Sequence, residues 1–212
     1  MTLLTPGSNY VRPMTVLNLH RAVAILITLA LGFSGNISKA DQNDPRLPKL
    51  FESLKSATDA KTAQVTASDI WRIWSEKPDD KRIAELLRQG TEQMNAGQLR
   101  KAEKLFTLVI NAAPDFAEAW NKRATVYFLM GAYDLSKKDI AQTIAREPQH
   151  FGAWSGLGLV ETHIGNYDAA LKAYEKAARI HPFLQGYENI TSKPSKSSRI
   201  PPQISPYPPP HE

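Results

Sequence analysis

Three histidines in the central part of the chain, His150, His163 and His181, are the side chains best suited to holding a metal ion or moving a proton. None has a second histidine four residues away, and no acid stands beside one in a ligand pattern, so metal ligation is not expected. Cysteine is absent from all 212 residues, which removes thiolate nucleophiles, disulfides and cysteine-held zinc. The carboxylate pairs Asp134 with Asp139 and Asp168 with Glu175 read as polar turn or outer-helix positions, and acid–base work would need a sheltered cleft around them. Gly152, Gly156 and Gly158 lie close together, but no Lys-Ser or Lys-Thr ending follows and the dinucleotide spacing is incomplete. No serine stands in a nucleophile-elbow pattern. The chain reads as having no catalytic residue, no metal site and no cofactor.

Charge points the same way. The formal net charge of +5 comes entirely from the two ends. Residues 1–40 carry Arg12, Arg21 and Lys39 without an acid, and residues 189–212 carry Lys193, Lys196 and Arg199 against Glu212. The stretch between them holds 20 basic and 20 acidic side chains. A neutral body is not a phosphate-binding surface, so nucleic acid is not an expected partner.

The elements that carry these residues recur at a fixed distance. Pro114, Pro148 and Pro182 stand 34 residues apart, and so do Gly97, Gly131 and Gly165. Trp120 and Trp154 share one slot with Leu86, while Tyr133 and Tyr167 share another with Leu99. Gly90, Ala124 and Gly158 keep a third slot small, as Ala102, Ser136 and Ala170 do a fourth. Phe106, Ile140 and Tyr174 keep a fifth large and apolar. Such a period is the mark of an internal repeat. Glycine suits a helix end where positive φ is wanted, and proline stops a helix.

These slots resemble the tetratricopeptide repeat over residues 83–116, 117–150 and 151–184. The resemblance implies an all-α, right-handed superhelix, an α-solenoid of helix-turn-helix pairs. Ser136, Gln89 and Arg123 depart from the family pattern and are expected at solvent-facing or partner-facing places. His181 precedes a boundary proline and is expected to be a solvated end of a helix. The segments "LPKLFESLKSATDA" and "RATVYFLMGAYDLSKKDI" resemble exported tetratricopeptide proteins of alphaproteobacteria. Residues 41–82, with Leu50, Leu54, Ile70, Ile73 and Trp74 at helical spacing, are read as a degenerate pair capping the N-terminal end of the stack.

By that resemblance, first helices line a concave face that takes an extended peptide or a partner helix. Its implied binding residues are Leu87, Arg88 and Thr91 in the first unit, then Asn121, Lys122, Thr125 and Phe128 in the second. Ser155 and Leu159 continue the line in the third, which also runs through Ala84, Glu118, Gly152 and Thr162. Arg88, Asn121 and Lys122 together would hold a carboxylate or backbone carbonyls. The expected partner is therefore a protein or peptide, with self-association as a way to cover an end of a short stack.

The two ends read as appendages. His20 and Arg21 precede the apolar run Ala22 to Leu31, and Ser38-Lys39-Ala40 supplies small residues for cleavage before Asp41. That is the layout of a signal peptide over residues 1–40, with Met14 as a second candidate start, and it implies export with no membrane attachment afterwards. The resemblance to exported proteins of alphaproteobacteria implies that the destination is a bacterial periplasm. An uncleaved segment would instead anchor a structural or assembly factor of the cell envelope. Residues 189–212, with seven prolines, have the composition of a disordered tail.

Overall fold

The computed structural model describes residues 41–76 and 80–184, and the expected signal peptide and proline-rich tail lie outside them. A short 3-10 turn, Asp41–Asn43, is followed by helices α1 (Leu47–Lys55) and α2 (Ala60–Ser75). Three helical pairs come next. They are α3 (Lys81–Asn95) with α4 (Leu99–Ala112), α5 (Ala117–Leu129) with α6 (Tyr133–Arg146), and α7 (Phe151–His163) with α8 (Tyr167–Ile180). There is no strand among the described residues, and the three pairs stack as an α-solenoid. No helix among them is long and apolar enough to cross a membrane.

The turn inside each pair follows from its glycine. Gly97, Gly131 and Gly165 adopt φ of +70°, +72° and +80°, a left-handed conformation that costs a side-chain-bearing residue about 1–2 kcal/mol. That conformation lets two amides turn back onto the helix end. Gln98 N–H donates to the Gln93 carbonyl at 2.8 Å, and Gly97 N–H donates to Met94 at 3.0 Å. The same two bonds close α5 and α7. The carbonyls left open at a helix end are thereby satisfied.

Within a pair, a small residue faces a large one. A Cβ built on Gly90 would lie 2.5 Å from the Phe106 ring, and one on Gly158 would lie 2.6 Å from the Tyr174 ring. Between pairs, the boundary proline accepts an indole N–H: Trp120 Nε1 donates to Pro114 O at 2.8 Å, and Trp154 Nε1 to Pro148 O at 2.9 Å. Phe106, Val109, Phe116 and Val126 form the core that joins the first unit to the second. Ala124, Ile140, Ala153 and Val160 continue it into the third.

The N-terminal pair packs elsewhere than a capping repeat would. Its apolar side meets α5, α7 and the end of α8 in the second and third units, rather than stacking on α3 of the adjoining unit. The cause lies in the stripes it carries. Leu47, Phe51 and Leu54 on α1 face Ile70, Trp71, Ile73 and Trp74 on α2, and this cluster closes over Phe151, Ile180 and Leu184. Gln42 fastens the approach: its Nε2 donates to Asp115 O at 2.6 Å, while its Oε1 accepts from Ala117 N–H at 3.4 Å.

Candidate partner-binding groove

First helices α3, α5 and α7 carry the expected groove residues, and their placements differ sharply. Leu87 is buried in the core beneath the first unit, with Ile83 and Phe106. Arg88 is the exposed member, and it is bracketed by Glu85 (bonds of 2.8 and 2.6 Å) and Glu92. This ion pairing holds the Glu85 carboxyl down at about 2. Thr91 is half-buried and its hydroxyl donates back to Leu87 O at 2.9 Å.

In the second unit the polar groups lie under cover. Asn121 and Lys122 are 4% and 6% exposed, and both converge on the buried Glu118. Asn121 Nδ2 donates to Glu118 Oε2 at 3.0 Å, and Lys122 Nζ lies 3.5 Å from Oε1. Burial pushes the Lys122 ammonium below its ordinary value, with Glu118 opposing. Thr125 donates to Asn121 O at 3.1 Å. Phe128 packs edge-on to His163 at 4.8 Å and tilts against Tyr133 at 5.8 Å. Ser155 and Leu159 of the third unit are buried. Arg88 therefore stands apart from Asn121 and Lys122 in what it binds: each has carboxylates of its own chain as partners.

What meets this face is helix α2. Trp74 stacks flat on His150, with ring centroids 4.0 Å apart and planes 9° apart. Trp71 meets His150 at 5.3 Å and Phe151 at 5.4 Å, both edge-on. Its ring tip fills the space where Gly152 has no side chain, since a Cβ there would come within 2.5 Å. His150 itself is fixed from two sides. Its Nδ1 accepts from Ala153 N–H at 3.0 Å as the N-cap of α7, so Nε2 carries the proton and donates to Glu118 Oε2 at 3.1 Å.

Several residues read as surface from the sequence are structural. Arg123 is not solvent-facing: it forms a two-pronged ion pair with Asp139, which is itself buried rather than outer-helix. Ser136 is buried and satisfied, donating to Ala124 O at 2.8 Å. His181 is 4% exposed rather than solvated, because the residue before each boundary proline tucks inward, as Ala113 and Glu147 also do. Among the described residues no cluster of His, Asp or Glu could hold a metal ion.

This arrangement can bind a protein surface through packing and a few buried polar groups. The family model for the tetratricopeptide repeat matches residues 87–136 and 130–184. A TPR repeat-containing protein of Rhizobium etli is 34% identical over 137 residues, 65% of this chain and 67% of that protein. The chain belongs to the tetratricopeptide repeat family. Tetratricopeptide repeats mediate protein–protein interaction, which agrees with the packing-based chemistry of this face. Hsp70-Hsp90 organizing protein 1 of Glycine max is 27% identical over 125 residues, 57% of this chain, of which the chain spans only 22%. The Sgt2 TPR domain of Aspergillus fumigatus shares the fold at a TM-score of 0.50 and 24% identity, covering 53% of this chain and 78% of that one.

The tetratricopeptide period located the first helices, but it could not disclose Trp71, Trp74 or His150 as parts of the site. Two signals were present. Tryptophans stand one turn apart on α2, and Gly152 is bare where Ala84 and Glu118 carry side chains.

Proposed function

We propose that this protein is an exported, non-catalytic adaptor that holds a protein partner on the face made by α3, α5 and α7. The observation that carries the reading is the seating of a helix on that face, with Trp71 over Gly152 and Trp74 on His150. A surface that packs two tryptophans edge-on and face-on is one that recognises protein, since aromatic anchors in desolvated seats dominate such contacts. Export rests on the apolar run Ala22 to Leu31 with the small-residue cleavage site ending at Ala40, and the Rhizobium etli relative agrees with a bacterial setting.

Crosslinking in cells with the full-length chain, followed by capture and mass spectrometry, tests both parts. Arg88→Glu serves as the groove variant, because Arg88 is exposed whereas Lys122 is buried with Glu118. Loss of a captured partner in this variant is the expected result, together with a mature N-terminus at Asp41. A partner retained in full moves binding off the first unit, and an N-terminus before residue 40 replaces export with anchoring.

A further inference from the structure

The seat on the second and third units is built by the repeats themselves. His150 is held by Ala153 N–H and by Glu118, neither of which belongs to the N-terminal pair. Phe151 is fully buried beside it, and Gly152 leaves a hole that no other unit has at this slot. The occupant comes from outside the repeats. Helix α2 presents "IWRIW" (Ile70 to Trp74), in which Trp71 and Trp74 point to one side, one turn apart. Arg72 between them points away and pairs with Asp69 at 3.0 Å and Glu76 at 3.3 Å. The buried Trp74 indole N–H makes no close hydrogen bond. It is directed to the Glu147 carboxyl, the polar group beside it, whose pKa it acts to lower against the effect of burial. The contact therefore has the form of a receptor and its ligand, joined in one chain.

The geometry points to a receptor seat, formed by His150, Phe151 and Gly152, for an amphipathic helix bearing two tryptophans at i and i+3, which α2 occupies in cis and which a partner helix of the same chemistry takes by displacing it. This deepens the adaptor reading and rests on it, naming the partner as a helix rather than an extended peptide. The hole at Gly152 selects a large ring at the first anchor. The flat face of His150 selects a ring that can stack at the second, and Glu147 favours one with an N–H. A resident ligand in the same chain acts at a high effective concentration, of the order of millimolar for a short tether, so a free helix binds weakly until α2 is released.

The test uses the full-length chain and a fluorescein-labelled peptide of residues 59–76, titrated by anisotropy. Trp71→Ala/Trp74→Ala empties the seat, and we expect it to bind the peptide at least ten-fold more tightly than the wild type. Adding Gly152→Val to that variant is expected to remove the gain, as is replacing both tryptophans of the peptide by alanine. Equal binding to wild type and double variant, binding that survives Gly152→Val, or no binding by a folded double variant would each overturn the proposal. If the double variant loses its helical signal, Gly152→Val in the wild-type chain decides instead. Release of α2 is then read as a red shift of tryptophan emission and faster tryptic cleavage at Lys61 and Arg72, with helicity retained. Unchanged emission and cleavage would overturn the seat. Because the peptide assay needs no cellular partner, its failure alongside a partner lost in Arg88→Glu would sink the seat and leave the adaptor standing.

Discussion

Arg123 grips the carboxylate of Asp139 with two bonds, Nε to Oδ2 at 2.7 Å and Nη2 to Oδ1 at 2.9 Å, joining the first helix of the middle unit to the second. Its remaining Nη1 donates to Thr107 Oγ1 at 3.0 Å in the preceding unit. One side chain thus ties both helices of a repeat to its neighbour, at a slot where the period alone suggested a free polar residue.

Removing one partner of this pair should cost far more than replacing both. Asp139 is 4% exposed, so Arg123→Ala leaves a buried charge uncompensated, and we expect a loss of about 3–5 kcal/mol in urea unfolding. Arg123→Leu/Asp139→Leu should recover most of it, because two apolar side chains of similar size need no counter-charge. If the double variant is as unstable as the single one, the pair contributes through its geometry and not through charge.

The small and large slots of the repeat are matched within this one chain. Glycine faces a ring in two units, Gly90 with Phe106 and Gly158 with Tyr174. The middle unit has Ala124 where Ile140 takes the ring's place. Gly158→Ala should therefore cost about 1–3 kcal/mol through overpacking, and Gly158→Ala/Tyr174→Ile should regain a good part by copying the middle unit. Gly165→Ala is the control. Nothing lies within 4 Å of a Cβ there, so its cost of about 1–2 kcal/mol comes from backbone strain and no packing change rescues it. Equal rescue of both by Tyr174→Ile would contradict this assignment.

These pairs also mark how far the sequence could be read. Every slot whose job is to fit one helix of a repeat against another was legible, because that job recurs every 34 residues and leaves the same trace each time. Arg123 and Ser136 were misplaced because each is a local solution, a salt bridge and a serine bonded to Ala124 O. The buried slot of His181 recurs, but it holds alanine, glutamate and histidine in turn and so leaves no residue class to read. The destination of α1 and α2 was less legible still. An amphipathic stripe declares that it must be covered, not by what, and chain order favoured the adjoining unit. The bare Gly152, placed on the groove line by the period, is the residue that receives Trp71.

Acid should loosen the seam between the N-terminal pair and the third unit. His181 lies in that seam, edge-on to Phe151 at 5.3 Å, and its Nδ1 has no hydrogen-bond partner. Burial holds its pKa below the ordinary value of 6.5, so the folded chain keeps the ring neutral while the unfolded chain takes up a proton near pH 6.5. The stability this provides is present above pH 6.5 and is lost as pH falls below it. Glu147 acts in the opposite sense. Burial raises its carboxyl above 4.5, so its contribution is present below that pH and is lost as pH rises. A fall in stability between pH 7 and 5.5 therefore has the sign of His181 and not of Glu147. We expect the wild type to lose up to about 1.4 kcal/mol per pH unit over part of this window, the limit for a single proton. His181→Ala, which copies Ala113 of the first unit, should flatten that part of the profile. His150 and Glu118 remain in both chains, so the difference between the two isolates His181. Urea midpoints at pH 7.5, 6.5 and 5.5 measure it, and parallel profiles for wild type and variant would remove His181 as the source.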